Sequence, residues 1–336
     1  MKAIILKDFG GVENFRLEEV ARPQLKPDEV FIKIRATAFS PIDYQMRKGS
    51  SESKLLKSPI LGREFSGEIL RLGKNVNSFA VGDKVSAYVG SLASNGTYAE
   101  FISVPAKLLA KNPPGLSFAQ ATAIPNVGMT ALQIFYRAGI PKNKSIFIAG
   151  GAGGVGTILI KLLLANGNKN IYTTAGNNES INHLKNIGLR EDNIINYRTG
   201  NILKILKEKN NNEYFEYSID LVGGKMSEVC AELTAVFGTY INVAFLATKN
   251  ARDLLFDKAT TVVNIANYAM MLINDPEKLE FYGNALKEIF DKVNENIITS
   301  TEINIVGNLS VETVQKAHQL LESNQTKGKK LVMLVE

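Results

Sequence analysis

Ser145-Ile146-Phe147-Ile148-Ala149-Gly150-Gly151-Ala152-Gly153-Gly154-Val155-Gly156-Thr157-Ile158-Leu159-Ile160 is the stretch whose reading decides the fold. An apolar β-type run ends at Ala149, five glycines follow within seven residues, and a helical run occupies Thr157 to Ala165. Gly151, Gly153 and Gly156 satisfy G-x-G-x-x-G, with Gly154 and Val155 between them. The first glycine permits the tight turn, the second lets backbone approach a pyrophosphate, and the third lets helix and strand pack closely. Backbone N–H groups at the start of the helix would then face the phosphates. The motif alone is weak, but a strand before it and a helix after it are the context that a dinucleotide site requires. By length alone Ile146 to Ala165 would also allow a membrane span. The clustered glycines favour strand-turn-helix, and no membrane is expected as partner.

Working outward, the texture on either side differs. Downstream, strand candidates at Ser145–Ala149, Asn170–Thr174, Asn193–Asn196, Tyr217–Leu221, Thr239–Val243 and Thr261–Ile265 alternate with helical runs such as Ile181–Ile187. This alternation predicts a parallel sheet with helices on both faces. Upstream, short runs such as Ala3–Leu6, Glu29–Ala36, Gly67–Leu70 and Lys84–Tyr88 are separated by turn signals, which predicts a small barrel-like β domain. The tail reads as a helix over Pro276–Val293, a strand over Glu302–Val306, a helix over Val311–Ser323 and a last strand over Leu331–Val335. That last strand is expected to rejoin the amino-terminal β domain. The expected fold class is therefore α/β, a β-barrel domain at 1–122 and 269–336 interrupted by a doubly wound domain at 123–268.

The bulk properties exclude several classes. The chain has 336 residues, 45% hydrophobic and 21% charged, which suits two globular domains rather than disorder. The net charge of +6 is scattered, apart from short clusters such as Lys327, Lys329 and Lys330, so no nucleic-acid footprint is expected. The single cysteine, Cys230, excludes an internal disulfide and points to a reducing, cytoplasmic setting. Cys230 itself reads as a small buried apolar residue.

The second strand selects the nucleotide. An NAD site places an Asp or Glu about 20 residues beyond the glycines. Here Thr173-Thr174-Ala175-Gly176-Asn177-Asn178 carries no acid before Glu179. NADP(H) is therefore expected, with Asn177, Asn178 and Ser180 as neutral donors and Arg198 as a bidentate partner for the 2′-phosphate, and Thr174 as a further cofactor-binding residue. Val222, Ala244 and Phe245, at the ends of later strands, complete the expected cofactor contacts. Asp220 is expected to hold its turn rather than do chemistry.

The order of these motifs resembles the medium-chain dehydrogenase/reductase superfamily, in its zinc-independent quinone oxidoreductase branch. The similarity rests on Ser40-Pro41-Ile42-Asp43-Tyr44-Gln45-Met46-Arg47-Lys48-Gly49, Pro59 to Gly67, Val81 to Val85, Gly96 to Phe101, Met129 to Leu132, Gly151 to Gly156 and Ile195 to Arg198. It implies a GroES-like catalytic β domain, a Rossmann domain, and hydride transfer from NADPH to a quinone or an α,β-unsaturated carbonyl compound. It also implies that Tyr197 flanks the adenosine 2′-phosphate, that Thr130 lies beside the nicotinamide ribose, and that two chains form a homodimer through the outer strand near Thr261–Ile265. Gln45 departs from the pattern, where relatives often carry Tyr.

Zinc relatives place Cys at the position of Ser40 and His at Arg63. A serine is a poor zinc ligand and a guanidinium is none, so no metal site is expected. His183 and His318 read as surface or packing residues. Without a Lewis acid, a hydroxyl or amide must stabilise the substrate oxygen, and Ser40, Tyr44 and Asn126 are the candidates. Asp43 and Arg47 read as a structural pair or as loop anchors. Two alternatives stay open: an enoyl thioester reductase, and a non-catalytic NADPH-binding sensor or structural protein.

Overall fold

The computed structural model describes residues 1–272, 276–299, 301–326 and 328–336; Lys327 of the tail cluster lies outside them. The chain divides into two units, Met1–Met129 with Asn267–Glu336, and Thr130–Ala266. The first unit thus runs past the expected residue 122, and the chain leaves it inside the helix Pro125–Ala138.

The second unit is a six-stranded sheet in which every pairing is parallel. Its order is Ile194–Asn196, Ile171–Ala175, Ile146–Ala149, Phe215–Asp220, Thr234–Asn242, Thr261–Asn264. The strands Ile146–Ala149 and Ile171–Ala175 are buried along their whole length, as strands covered on both faces must be. Sequential strands step one way from Ile146–Ala149 and then the other way from Phe215–Asp220. That reversal opens a crevice at the carboxyl ends of the strands. The helix after the glycines spans Gly154–Asn166 and stops at Gly167, whose φ of +95° is the left-handed cap that glycine adopts freely. Local oxygen caps start the later helices: Asn177, Asn201 and Thr248 each accept from the backbone N–H three residues on. The stretch weighed above as a membrane span is this strand, turn and helix, and no described helix is long and apolar enough to cross a membrane.

One strand differs from expectation. The run read as Thr239–Val243 begins at Thr234, and the pairing slips between Phe215 and Tyr217. Phe237 sits there at φ +59° and 80% exposed, an irregularity that sequence alternation does not announce.

The first unit carries a seven-stranded sheet whose main path is Ile303–Asn308, Lys330–Leu334, Glu29–Ala38, Glu64–Leu72, Lys84–Tyr88, Ala110–Lys111, with Phe101–Pro105 also on Glu29–Ala38. Lys2–Leu6 and Phe15–Glu19 form a separate hairpin. The last strand pairs antiparallel with Glu29–Ala38, Val332 opposite Ala38. The tail helix expected from Pro276 is a 3₁₀ turn at Pro276–Leu279 followed by an α-helix over Glu280–Asn294. A core of Ile4, Phe15, Phe39, Leu61, Tyr98, Val314, Leu331 and Met333 closes this unit. His318 lies inside it, edge-on to Phe15 and Phe39.

Candidate functional site

The glycine turn is built for close approach. Gly150 takes φ +83°, and the Gly151 N–H donates to Thr173 Oγ1 at 3.1 Å, which in turn donates to the Ile148 carbonyl at 2.6 Å. A side chain at Gly151 would run into that threonine hydroxyl. At Gly156 a Cβ would meet Gly151 Cα at 2.5 Å and the Gly150 carbonyl at 2.7 Å, so only glycine lets the helix rest on the turn. Gly153 is different. It is exposed, its φ of −76° and ψ of 170° suit any residue, and a Cβ would meet only the Gly150 oxygen, at an ordinary 3.4 Å. Nothing among the described residues requires glycine at 153; a ligand against the backbone would. The turn therefore fits a dinucleotide pyrophosphate.

Around the turn, the carboxyl ends of the strands gather most of the expected cofactor residues. Val222 stands beside Gly150, where a Cβ on the glycine would meet Val222 Cγ2 at 2.9 Å. Phe245 is at φ +54° and 80% exposed, with its N–H on Asn242 Oδ1 at 3.2 Å, and Ala244 precedes it half-buried. Tyr197 lies over Gly176, where any Cβ would strike its hydroxyl. Arg198 is exposed beside it. Asn177 is partly committed: its oxygen caps the next helix by accepting from the Ser180 N–H at 2.8 Å, leaving its amide nitrogen as donor. Thr174 and Thr130 are buried, Ser180 half-buried. Asp220 is fully buried and holds its turn, accepting from the N–H groups of Val222 (3.0 Å) and Gly223 (2.7 Å) and from the Tyr240 hydroxyl (2.7 Å). His183, read only as surface or packing, meets Thr157 Oγ1 at 2.9 Å and so ties the glycine helix to its neighbour.

In the first unit, the structure brings Ser40 and Asn126 together and adds two residues that sequence reading gave no role. Ser40 Oγ lies 3.0 Å from Asn126 Nδ2, 2.7 Å from Lys330 Nζ and 3.2 Å from Glu64 Oε1. Lys330 also pairs with Glu64 Oε1 at 2.6 Å, and the Asn126 N–H donates to Glu64 Oε2 at 2.9 Å. Asn267 donates to Asn126 Oδ1 at 3.0 Å. Lys330, read only as part of a short basic cluster, is thus a buried cation. Strand alternation explains the correction: Lys329 points the other way, to Glu302 at 3.5 Å. Tyr44 lies one turn along the helix Pro41–Arg47, half-buried, with Lys48 6.0 Å from its ring centre, and is not hydrogen-bonded to Ser40.

The charged residues beside Ser40 each have separate work. The Asp43 carboxylate reaches back to accept from the Ser40 N–H at 2.7 Å, capping that helix. Burial pushes Asp43 up to about 7 against the pull of the Ser40 N–H and Arg63. Arg47 does not pair with Asp43; it reaches Glu322 at 2.6 Å. Arg63 donates to the Tyr88 hydroxyl at 3.0 Å and pairs with Glu52. These residues do not fit a zinc ion: the hydroxyl of Ser40 is held by an ammonium, and Arg63 is a second fixed cation. Among the described residues no group of three or more His, Cys, Asp or Glu could hold a metal.

Fold and site together define a two-domain oxidoreductase architecture, and comparison with known proteins gives it a family. Residues 26–114 match the Alcohol dehydrogenase GroES-like domain and residues 154–287 the Zinc-binding dehydrogenase family. The chain belongs to the medium-chain dehydrogenase/reductase superfamily. It is 38% identical over 171 residues to a 2-methylene-furan-3-one reductase of Solanum lycopersicum, covering 48% of this chain and 44% of that protein. It is 36% identical over 171 residues to a chloroplastic NADPH-dependent alkenal/one oxidoreductase of Arabidopsis thaliana, with the same shares of 48% and 44%. Less than half the length of those two relatives is therefore matched. Over its full length it superposes on a quinone oxidoreductase from Coxiella burnetii with a TM-score of 0.83 at 28% identity, covering 100% of this chain and 99% of that one. The GroES-like and Rossmann-like parts expected from the sequence are those observed.

Proposed function

We propose that this chain is an NADPH-dependent reductase of quinones or α,β-unsaturated carbonyl compounds that works without zinc, in the quinone oxidoreductase branch of its superfamily. The observation that carries the reading is Gly153: a sterically open position kept as glycine where a pyrophosphate would meet the backbone. The missing acid after the second strand, the Lys330–Glu64 ion pair at Ser40 and the activities named for the relatives support it.

NADPH, when bound, supplies the hydride. The chain's own residues do the rest. Amides of Gly154, Val155 and Gly156 meet the pyrophosphate; Tyr197, Arg198, Ser180 and the Asn177 amide meet the adenosine end; Val222, Ala244, Phe245, Thr174 and Thr130 flank the remainder. Ser40, with Asn126 and Tyr44 as further donors, stabilises the negative charge that develops on the substrate oxygen. A conjugated acceptor needs only such modest help, because the charge is spread along the system.

Purified protein mixed with NADPH and a panel of quinones and enones should consume cofactor, read at about 340 nm. Cofactor unconsumed across the panel would sink the reading, and turnover confined to enoyl thioesters would redirect it to that class. NADPH bound tightly with no acceptor reduced would instead support a sensor. Arg198→Glu should cut the NADPH-over-NADH preference in kcat/KM about tenfold, because a carboxylate beside the 2′-phosphate replaces a bidentate donor. An unchanged preference would remove Arg198 from the site. The same proposal includes a cytoplasmic setting and a homodimer paired through the edge strand Thr261–Asn264. Sedimentation at micromolar concentration should give twice the chain mass; the chain mass alone would exclude the dimer.

A further inference from the structure

Lys330 starts the last strand, and backbone pairing puts it opposite Ser40. The Phe39 N–H donates to the Leu331 carbonyl at 3.0 Å, and the Lys330 N–H is itself held by Glu302 at 2.8 Å. The ammonium therefore reaches Glu64 and Ser40 from a fixed strand. A buried ion pair is weak evidence for stability, because desolvation offsets most of the attraction and an apolar pair of similar shape serves as well. What singles this pair out is its convergence on one hydroxyl.

Counting protons shows what the arrangement does. Ser40 Oγ accepts from Lys330 and from Asn126, which uses both of its lone pairs, so its only proton is directed to Glu64 Oε1. That last bond, at 3.2 Å, is the longest of the three. A hydroxyl that accepts from an ammonium is a stronger donor, since chained hydrogen bonds polarise one another. If the hydroxyl proton swings away from Glu64, the carboxylate oxygen is not orphaned, because Lys330 still donates to it at 2.6 Å. The cluster can thus lend the Ser40 proton outward without orphaning Glu64, at the cost of realigning one of the two bonds that Ser40 accepts.

We propose that Lys330 is a positioning residue: anchored by Glu64, its ammonium polarises the Ser40 hydroxyl and frees its proton for the oxygen of a bound enone or quinone. This rests on the reductase reading and on Ser40 as oxyanion donor. No covalent bond changes in this step; a hydrogen bond moves from Glu64 to the substrate oxygen.

The test compares the full-length parent, Ser40→Ala, and the neutral pair Glu64→Gln with Lys330→Met, all with NADPH and one enone that the parent reduces. The double variant removes both charges together, so it avoids stranding either one. It should keep NADPH affinity within about twofold and lose at least about tenfold in kcat. Ser40→Ala should cost a similar factor alone and little more in the double background. A structural role would shift Tm yet leave kcat within twofold and the cost of Ser40→Ala unchanged in both backgrounds; that result overturns the proposal. Should the double variant not fold, Ser40→Ala decides: kcat within twofold of the parent leaves Lys330 no donor to act through. A parent that binds NADPH and reduces nothing overturns the reductase reading and this inference together, whereas an active parent with an equally active double variant overturns this inference alone.

Discussion

Gly153→Asp is expected to weaken NADPH binding about 100-fold, roughly 2.7 kcal/mol, while leaving Tm within a few degrees of the parent. The two halves of that outcome come from different observations. In the protein alone, residue 153 is exposed, its backbone angles are available to any residue, and an added Cβ touches only the Gly150 oxygen at 3.4 Å. Aspartate is also a favourable residue at a helix N-cap, which is what Gly153 is for the helix Gly154–Asn166. Folding therefore has no reason to suffer. With a dinucleotide bound, the same side chain would fill the space where backbone meets pyrophosphate and would set a carboxylate against it. Gly156→Ala gives the contrast. Its Cβ would press on Gly151 Cα at 2.5 Å, so the helix must shift, and stability and affinity should fall together. Fluorescence titration with NADPH beside thermal unfolding separates the two. Tight binding by the Gly153 variant would mean that no pyrophosphate lies on this turn.

How far the sequence could be read depends on whether a feature is local. The glycine turn was legible because strand, turn and helix are contiguous, and the demand for small residues arises within one short loop. The parallel sheet was legible for a related reason: strand-length runs alternate with helical runs along the chain. The cluster at Ser40 was half legible. Ser40 and Asn126 could be nominated by residue type, but Glu64 and Lys330 acquire their role from strand register alone. Nothing in Lys329-Lys330 says that one lysine faces solvent and the next a carboxylate, since that needs the partner strand. Phe237 marks a further limit, because a bulge leaves no trace in alternation.

Asp43→Asn and His318→Gln are expected to give stability profiles that, relative to the parent, slope in opposite directions between pH 4 and 6.5, each by about 1.4 kcal/mol per pH unit. His318 is fully buried; its Nε2 lies 3.2 Å from the Tyr98 hydroxyl, and its Nδ1 has no hydrogen-bond partner among the described residues. Burial, with a small push from Arg47, lowers it from 6.5 to about 3. The folded chain then keeps His318 neutral where the unfolded chain has protonated it. That contribution to stability is complete above pH 6.5 and is lost as pH falls towards 3. Asp43 behaves the other way, raised by burial from 3.8 to about 7. Its contribution is complete below pH 3.8 and is lost as pH rises to 7. In the parent the two slopes largely cancel over the shared window. With Asp43→Asn the carboxyl's share is removed, and relative to the parent the protein should lose about 3 kcal/mol between pH 6.5 and 4.5. With His318→Gln the histidine's share is removed, and relative to the parent stability should rise by a similar amount over the same interval. Urea unfolding across the series reads both. Parallel profiles for the two variants would mean that neither group titrates as its burial dictates, and that the acid response of the fold arises elsewhere.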